Sequence, residues 1–395
     1  IQGLHYFGYQ DEMLCVCTDS LYKLVIGSDT SWIAVGSGLV PEQKTEFANA
    51  LTACWITNNT DTPQKYSSTT MTDSETGTSP DHNRPLKAEF VIFKHNRLFY
   101  GDITESDSGT YTSRYRYSGL RAIEGADAWD IDAYFDTELQ DGDDITGLRG
   151  YRNHIVVAKN NSLYMLKGTS ALDFGQFVYD TIHGCVANRT MREVDELFLF
   201  LNRKGIYAFD SMMAKPFSEN IKTTFDGLTQ STLTNACGIY YDNKYLVSVP
   251  DDDKVLVYNM LSKSWTVYTN VIASDFAVYT PIDEDISLYF AGYGATDRNV
   301  YKLFSGNDDN GSDISAHFIT TKFDCDAPNF DKQFHNIWCY ADGNASDSLT
   351  IEFRFDYDTP WLPLGTFALS SHIASFGIPA SQNRKGRLIQ FKVSN

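Results

Sequence analysis

The chain has 395 residues, of which 14% are aromatic and only 11 are proline, a composition that argues against a disordered protein. Fifty-one acidic residues against 32 basic ones give a net charge of −19, which opposes tight, salt-dependent gripping of nucleic acid over most of the surface. No run approaches the roughly 18 apolar residues of a membrane helix, and the amino end lacks a basic-then-apolar signal segment.

The first strand-like phrase is Tyr9-Gln-Asp-Glu-Met-Leu-Cys-Val-Cys-Thr-Asp-Ser-Leu-Tyr22-Lys-Leu: an apolar run, a polar break, and a second run ending in Leu-Tyr. That plan is a β-hairpin. It recurs along the chain with a Tyr near the end of each copy, at Tyr22, Tyr66, Tyr117, Tyr164, Tyr207, Tyr258 and Tyr301, with gaps of 43 to 51 residues. A period of roughly 40 to 50 residues filled with strand-like phrases is the signature of a β-propeller, one blade per period. The sequence therefore predicts an all-β fold, a six- or seven-bladed β-propeller over residues 1–306. The repeated Tyr are expected to fill the gaps between neighbouring sheets, because strand residues alternate between faces and large aromatics pack well there.

The copies differ in clarity. Tyr151-Arg-Asn-His-Ile-Val-Val-Ala-Lys-Asn-Asn-Ser-Leu-Tyr164, Leu197-Phe-Leu-Phe-Leu-Asn-Arg-Lys-Gly-Ile-Tyr207 and Tyr241-Asp-Asn-Lys-Tyr-Leu-Val-Ser-Val-Pro-Asp-Asp-Asp-Lys-Val-Leu-Val-Tyr258 follow the plan closely. Tyr66 and Tyr117 rest on Gln64-Lys-Tyr66 and Arg114-Tyr-Arg-Tyr117 and on spacing alone. From Thr57 to Pro85 the chain is rich in Thr, Ser, Asp and Asn, which predicts a long exposed loop between blades.

After the last repeat, Gly306-Asn-Asp-Asp-Asn-Gly-Ser-Asp313 forms a turn-rich acidic linker over 307–313. Beyond it the Tyr-ending hairpin disappears. His335-Asn-Ile-Trp-Cys-Tyr-Ala, Leu349-Thr-Ile-Glu-Phe-Arg-Phe-Asp and Leu388-Ile-Gln-Phe-Lys-Val alternate as strands, so residues 314–395 are expected to form a β-sandwich-like module. The chain begins Ile1-Gln-Gly-Leu and ends Val393-Ser-Asn395 directly after a strand, and is expected to be an internal portion of a longer polypeptide with that module incomplete.

Motifs for chemistry are sparse. The seven cysteines contain no Cys-x-x-Cys pair, and are expected to be reduced thiols, most of them buried, in a protein that folds in a cytoplasm. The eight histidines form no His-x-His or His-Glu-x-x-His motif, so no catalytic, cofactor or metal residue is assigned and the chain is not expected to be an enzyme. Ser106-Asp-Ser-Gly-Thr-Tyr111 shares only Asp107-x-Gly109 with the Asp-box turn of sialidases. Asp141-Gly-Asp-Asp144 and Asp308-Asp-Asn-Gly311 offer oxygen donors without calcium-loop spacing, and turn chemistry accounts for both. Asp251, Asp252 and Asp253 are placed at a hairpin tip, where three adjacent carboxylates repel and stay solvated. Together with Asp308 and Asp309 they are the candidate channel- or partner-facing acidic loops.

The order of three phrases carries a resemblance. Asn96-Arg-Leu-Phe-Tyr-Gly-Asp102, then Arg114-Tyr-Arg-Tyr-Ser118, then Asp143-Asp-Ile-Thr-Gly-Leu-Arg-Gly-Tyr-Arg-Asn-His-Ile-Val-Val-Ala-Lys-Asn-Asn-Ser-Leu-Tyr-Met-Leu-Lys-Gly168 resemble the propeller of tail hub or nozzle proteins of short-tailed bacteriophages, also described as tail tubular protein B or packaged-DNA stabilisation proteins. The resemblance covers residues 90 to 305 and rests on phrase order, without an invariant catalytic motif. It implies a structural virion protein of the tail, folded in the host cytoplasm and arranged as a hexameric ring around the DNA-ejection channel. Such a ring joins the portal or adaptor to distal tail parts and lets the genome pass without tight binding. The alternative is a carbohydrate-binding or carbohydrate-cleaving propeller, an adhesin using exposed aromatics as sugar platforms or a hydrolase using two carboxylates about 5 to 10 Å apart. A WD-repeat or kelch scaffold is disfavoured because neither signature recurs.

Overall fold

The computed structural model describes every residue except 75–84, 106–108, 126–127, 139–140, 211–212, 282–284, 295–296, 307, 344–346, 357–359, 370–372 and 379–384. The chain divides into two compact units, Ile1–Phe304 and Ser305–Asn395. The boundary lies ahead of the acidic turn expected to act as linker, so that turn belongs to the second unit.

In the first unit, strands pair with their sequence neighbours, all antiparallel, into seven sheets that succeed one another along the chain. Blade 1 comprises Gly3–Phe7, Glu12–Cys17, Ser20–Leu24 and Ile33–Ser37. Blades 2 to 6 repeat it over 46–73, 85–136, 145–180, 192–216 and 237–268, and blade 7, 273–303, has three strands among the described residues. The first strands are Gly3–Phe7, Glu46–Ala50, Pro85–Lys94, Ile145–Tyr151, Arg192–Val194, Cys237–Tyr241 and Ala273–Tyr279, and each touches the first strand of the next blade right round to the start. They line the axis. The unit is a seven-bladed propeller.

Local chemistry sets these hairpins. His95 and Asn96 (φ 51° and 56°) and Asp242 and Asn243 (φ 46° and 56°) place two consecutive left-handed residues between paired strands, the geometry whose twist matches a two-residue hairpin. Asn and Asp tolerate that conformation because their short polar side chains bond locally.

Packing between blades completes the ring. Among the described residues of this unit, seven apolar clusters of buried residues each join one neighbouring pair of blades. The ring closes where Leu4, Met13 and Cys15 of blade 1 meet Ala277, Tyr279 and Ala291 of blade 7. There the Leu4 N–H donates to Asp275 Oδ2 at 3.0 Å and the Tyr6 hydroxyl donates to the Thr280 carbonyl at 3.1 Å.

All seven repeated Tyr lie on the third strand of their blade. Six share a face. Tyr22, Tyr66, Tyr164, Tyr207, Tyr258 and Tyr301 stand opposite Cys15, Cys54, Val157, Phe200, Tyr245 and Phe290, which all belong to clusters shared with the preceding blade. Tyr117 departs from the expectation: it stands opposite Phe99 and packs toward the following blade. The equivalent position in blade 3 is Arg116, paired with Tyr100. Its fully buried guanidinium meets Glu105 at 3.0 Å, while Trp129 stacks on Tyr100 at 5.0 Å and fills the gap beside blade 2.

The Thr57–Pro85 stretch also departs from a continuous loop. Gln64–Ser67 and Thr70–Asp73 form the outer hairpin of blade 2, turned by Ser68 at φ 62°, and only 75–84 of the polar stretch lie outside the described residues.

In the second unit, one sheet runs in the order His317–Ile319, Ile389–Ser394, Ser348–Phe355, Leu362–Ala368. A ribbon of Asn336–Tyr340 with Ile373–Gly377 packs over it, Ile337, Cys339, Ala374 and Phe376 meeting Ile351, Phe353 and Phe367. The arrangement is two-layered and β-sandwich-like. The ribbon's other face carries Trp338, Tyr340 and Ile373, all exposed.

Candidate functional site: the propeller axis and the acidic loops

The first strands carry charged side chains where a core strand normally carries none, and these side chains converge. Arg189 sits in a short turn, Asn188–Thr190, between blades 4 and 5. Its Nε donates to Glu46 Oε1 at 3.1 Å, Nη1 to the Ser274 carbonyl at 3.1 Å, and Nη2 to the Gln2 and Thr45 carbonyls at 2.6 and 2.7 Å. Asp275 Oδ2 lies 3.6 Å from Nη1. One guanidinium thus binds blades 1, 2 and 7 to the turn opposite.

Glu46 also faces Arg149 Nη2 at 3.4 Å. Burial pushes its carboxyl up, but Arg189 and Arg149 outweigh burial and hold it below the ordinary value. Burial likewise works against the Arg189 charge, yet Asp275 and Glu46 keep its pKa above that of a free guanidinium. This group of charges is paired and desolvated together, the condition under which a buried ion pair persists. Lys44 enters the same region and donates to the Thr234 carbonyl, and burial lowers its pKa with Arg189 adding to the effect.

A second polar feature lies on blade 3. The strand Arg97–Glu105 bulges between Gly101 and Ile103, and Asp102 takes a left-handed conformation (φ 50°) opposite Glu89 on the first strand. Burial, then the Glu89 charge, pushes the Asp102 carboxyl up to about 8, and burial raises Glu89 as well. The Asp102 and Glu89 carboxyls hydrogen-bond to each other, and Glu89 Oε2 accepts from Asn59 Nδ2 at 3.3 Å.

The acidic loops singled out from the sequence lie elsewhere. Asp251 is exposed and accepts from Asn235 Nδ2 at 2.9 Å and from the Tyr293 hydroxyl at 3.0 Å. Asp252 accepts from the Thr229 N–H and hydroxyl, each at 2.9 Å, and Asp253 from the Asn270 N–H at 2.8 Å. At this hairpin tip each carboxylate points to a different donor and ties neighbouring loops together. Asp308 and Asp309 are exposed in a turn of the second unit, Asp308 accepting from the Gly311 N–H at 3.0 Å. Asp251 to Asp253 belong to the first unit, Asp308 and Asp309 to the second.

Turn chemistry also accounts for the oxygen-rich segment 141–144. Asp141 takes Lys159 Nζ at 2.8 Å, while Asp143 accepts from the N–H and side-chain amide of both Asn160 and Asn161. Among the described residues no group of three or more His, Cys, Asp or Glu is placed to hold a metal ion. Residues 106–108 of the Asp-box fragment lie outside the described residues. All seven cysteines are free; Cys15, Cys54, Cys185 and Cys237 are buried, Cys17 and Cys339 half-buried, and Cys325 exposed. No helix is long and apolar enough to cross a membrane among the described residues.

Sequence reasoning missed Arg189, Glu46, Arg149, Asp275, Glu89 and Asp102. For Glu46, Glu89, Arg149 and Asp275 the signal available was a charged residue within a largely apolar first strand, as in Glu46-Phe-Ala-Asn-Ala and Ala273-Ser-Asp-Phe-Ala-Val-Tyr.

No family model and no curated protein matches the chain. Solved structures similar to it include BamB from Moraxella catarrhalis (13% identity, 74% of this chain and 80% of that chain, TM-score 0.43), the AfRom2 CNH domain (9%, 78% and 95%, 0.47) and the RRP9 WD40 repeats (10%, 75% and 90%, 0.46). At such identities the likeness concerns the fold alone. The propeller assignment rests on the chain's own sheet order and on the closure of blade 7 onto blade 1.

Proposed function

We propose that this chain is a structural protein of a bacteriophage tail, a subunit of a hexameric hub or nozzle ring around the DNA-ejection channel that joins the portal or adaptor to distal tail parts. The observation that carries this reading is the phrase resemblance covering residues 90 to 305, whose phrases between Asn96 and Gly168 fall on two consecutive blades, 3 and 4. Three physical features support it. The propeller's axial charges are used to fasten blades to one another, as a load-bearing element requires, and a net charge of −19 suits a surface past which DNA must slide without adsorbing. Exposed Trp338, Tyr340 and Ile373 supply an apolar face, two of its three side chains aromatic, of the kind that anchors protein interfaces. Antibody labelling of purified virions tests the proposal: label confined to the tail supports it, and absence of the chain from particles refutes it.

A second reading, carbohydrate binding, draws on the same exposed Trp338 and Tyr340 as stacking platforms. Glycan-array binding lost on Trp338→Ala would favour it over the tail assignment.

A further inference from the structure

The main sheet of the second unit has four strands, but the layer over it is a ribbon of two, Asn336–Tyr340 with Ile373–Gly377. The ribbon covers one half of the sheet. Phe376 lies against Gly365 of Leu362–Ala368, where a Cβ would stand 2.8 Å from its ring. Phe334, just ahead of the other ribbon strand, stacks on Phe355 of Ser348–Phe355 with ring centroids 5.6 Å apart. Ile373–Gly377 therefore lies over Leu362–Ala368, and Asn336–Tyr340 over Ser348–Phe355. Among the described residues no third strand extends the ribbon over Ile389–Ser394 and His317–Ile319.

Exposure follows that boundary. Residues directly opposite one another in neighbouring strands share a face, so Ile351, Val393 and Phe318 form one row on the ribbon side of the sheet. Ile351 is 2% exposed, Val393 half-buried and Phe318 66% exposed. The row of Phe355, Ile389 and Phe323 behaves alike, passing from 5% and 3% to 46%. The apolar face thus continues past the ribbon. There Asn336–Tyr340 presents a backbone edge with no paired strand among the described residues, and its five residues include neither the Pro nor the charge that ordinarily blunts an edge.

We propose that this gap accepts one extended strand of another polypeptide, apolar at alternate positions, which hydrogen-bonds to the Asn336–Tyr340 edge and lays its apolar side chains on Phe318, Phe391 and Val393. Area decides the kind of occupant. Phe318 and Phe323 leave on the order of 200 Å² of ring surface open, far below the roughly 800 Å² per partner of a stable interface between folded proteins. A strand adds main-chain hydrogen bonds to that small apolar area, the mode of β-strand addition. The uncharged edge and row match an uncharged segment. The ribbon of a second copy does not fit, because it carries its own sheet about 10 Å beneath it, in the space that Ile389–Ser394 occupies. The inference does not rest on the tail assignment.

The test is binding of a fluorescein-labelled synthetic peptide, Lys-Val-Thr-Val-Thr-Val-Thr-Lys, to the whole chain, read by fluorescence anisotropy. Binding should saturate. The peptide Lys-Val-Val-Val-Thr-Thr-Thr-Lys, equal in composition, should bind at least tenfold more weakly, and so should the alternating peptide methylated on its backbone nitrogens. Phe318→Asp should weaken binding of the alternating peptide at least tenfold. Ile319→Asp, the next residue on the opposite face and 42% exposed, should leave it unchanged. Both variants should keep the wild-type Tm, since each alters an exposed side chain. No saturable binding, equal affinities for the two peptides, or equal effects of Phe318→Asp and Ile319→Asp would overturn the proposal. So would a wild-type dimer in sedimentation velocity that Phe318→Asp dissolves, which would give the gap to a second copy.

Discussion

Arg189 and Glu46 are 143 residues apart in sequence, yet the guanidinium Nε donates to the carboxylate at 3.1 Å inside the propeller. The pair joins the turn before blade 5 to the first strand of blade 2, and the remaining Arg189 donors reach blades 1 and 7. Removing the guanidinium takes the nearer partner from Glu46, which keeps Arg149 at 3.4 Å, and a donor from each of three carbonyls. Arg189→Met should therefore cost about 3–5 kcal/mol in urea unfolding. Glu46→Gln combined with it should be markedly less than additive, because both belong to one network. Additive losses would show that the two residues act separately.

The Asp102 and Glu89 pair predicts an inverted pH dependence. A carboxyl whose folded pKa is raised binds protons more tightly in the folded state than in the unfolded one. Its stabilising contribution is complete below its ordinary value and is lost as pH rises toward about 8. Across pH 4 to 8, wild type should lose Tm relative to Asp102→Asn, which cannot ionise and still donates to Glu89. Parallel Tm curves for the two proteins would contradict this assignment.

The repeated Tyr should differ by position. Tyr164 and Tyr207 are buried between blades, so truncation to Ala should cost about 3–5 kcal/mol each. Tyr22 is half-buried and should cost less, as judged by urea midpoints measured at constant m-value.

On the second unit, Trp338→Ala and Tyr340→Ala remove exposed rings and should change stability by no more than about 0.5 kcal/mol. Under the tail assignment, the double variant should fold normally yet fail to incorporate into particles in a complementation assay. Full incorporation would remove this face from the assembly.

The blade repeat was legible because each hairpin carries its own local code: alternating strands, a polar turn, a terminal Tyr. Placing Tyr117 was harder, since a one-residue change of phase reverses a side chain's face and nothing in Arg114-Tyr-Arg-Tyr117 says which residue points to blade 2. The outer hairpin of blade 2 was hidden by its composition; Gln64–Ser67 and Thr70–Asp73 are polar because the last strand, with three of its four residues exposed, lies at the propeller's rim. The axial network was illegible for another reason. Its members come from blades 1, 2, 4 and 7 and from the turn before blade 5, and only ring closure makes Glu46, Arg149, Arg189 and Asp275 neighbours. The acids that stood out in sequence, Asp251 to Asp253, did so because they are contiguous, and contiguity reports turn chemistry more often than a shared site.

The most direct test of the proposed role is a cryo-electron microscopy reconstruction of purified virions carrying this chain. The account predicts six seven-bladed propellers in a ring around the tail axis, adjoining the portal or adaptor. A map that places the chain as a monomer inside the capsid, or that holds no density for it, would contradict the account.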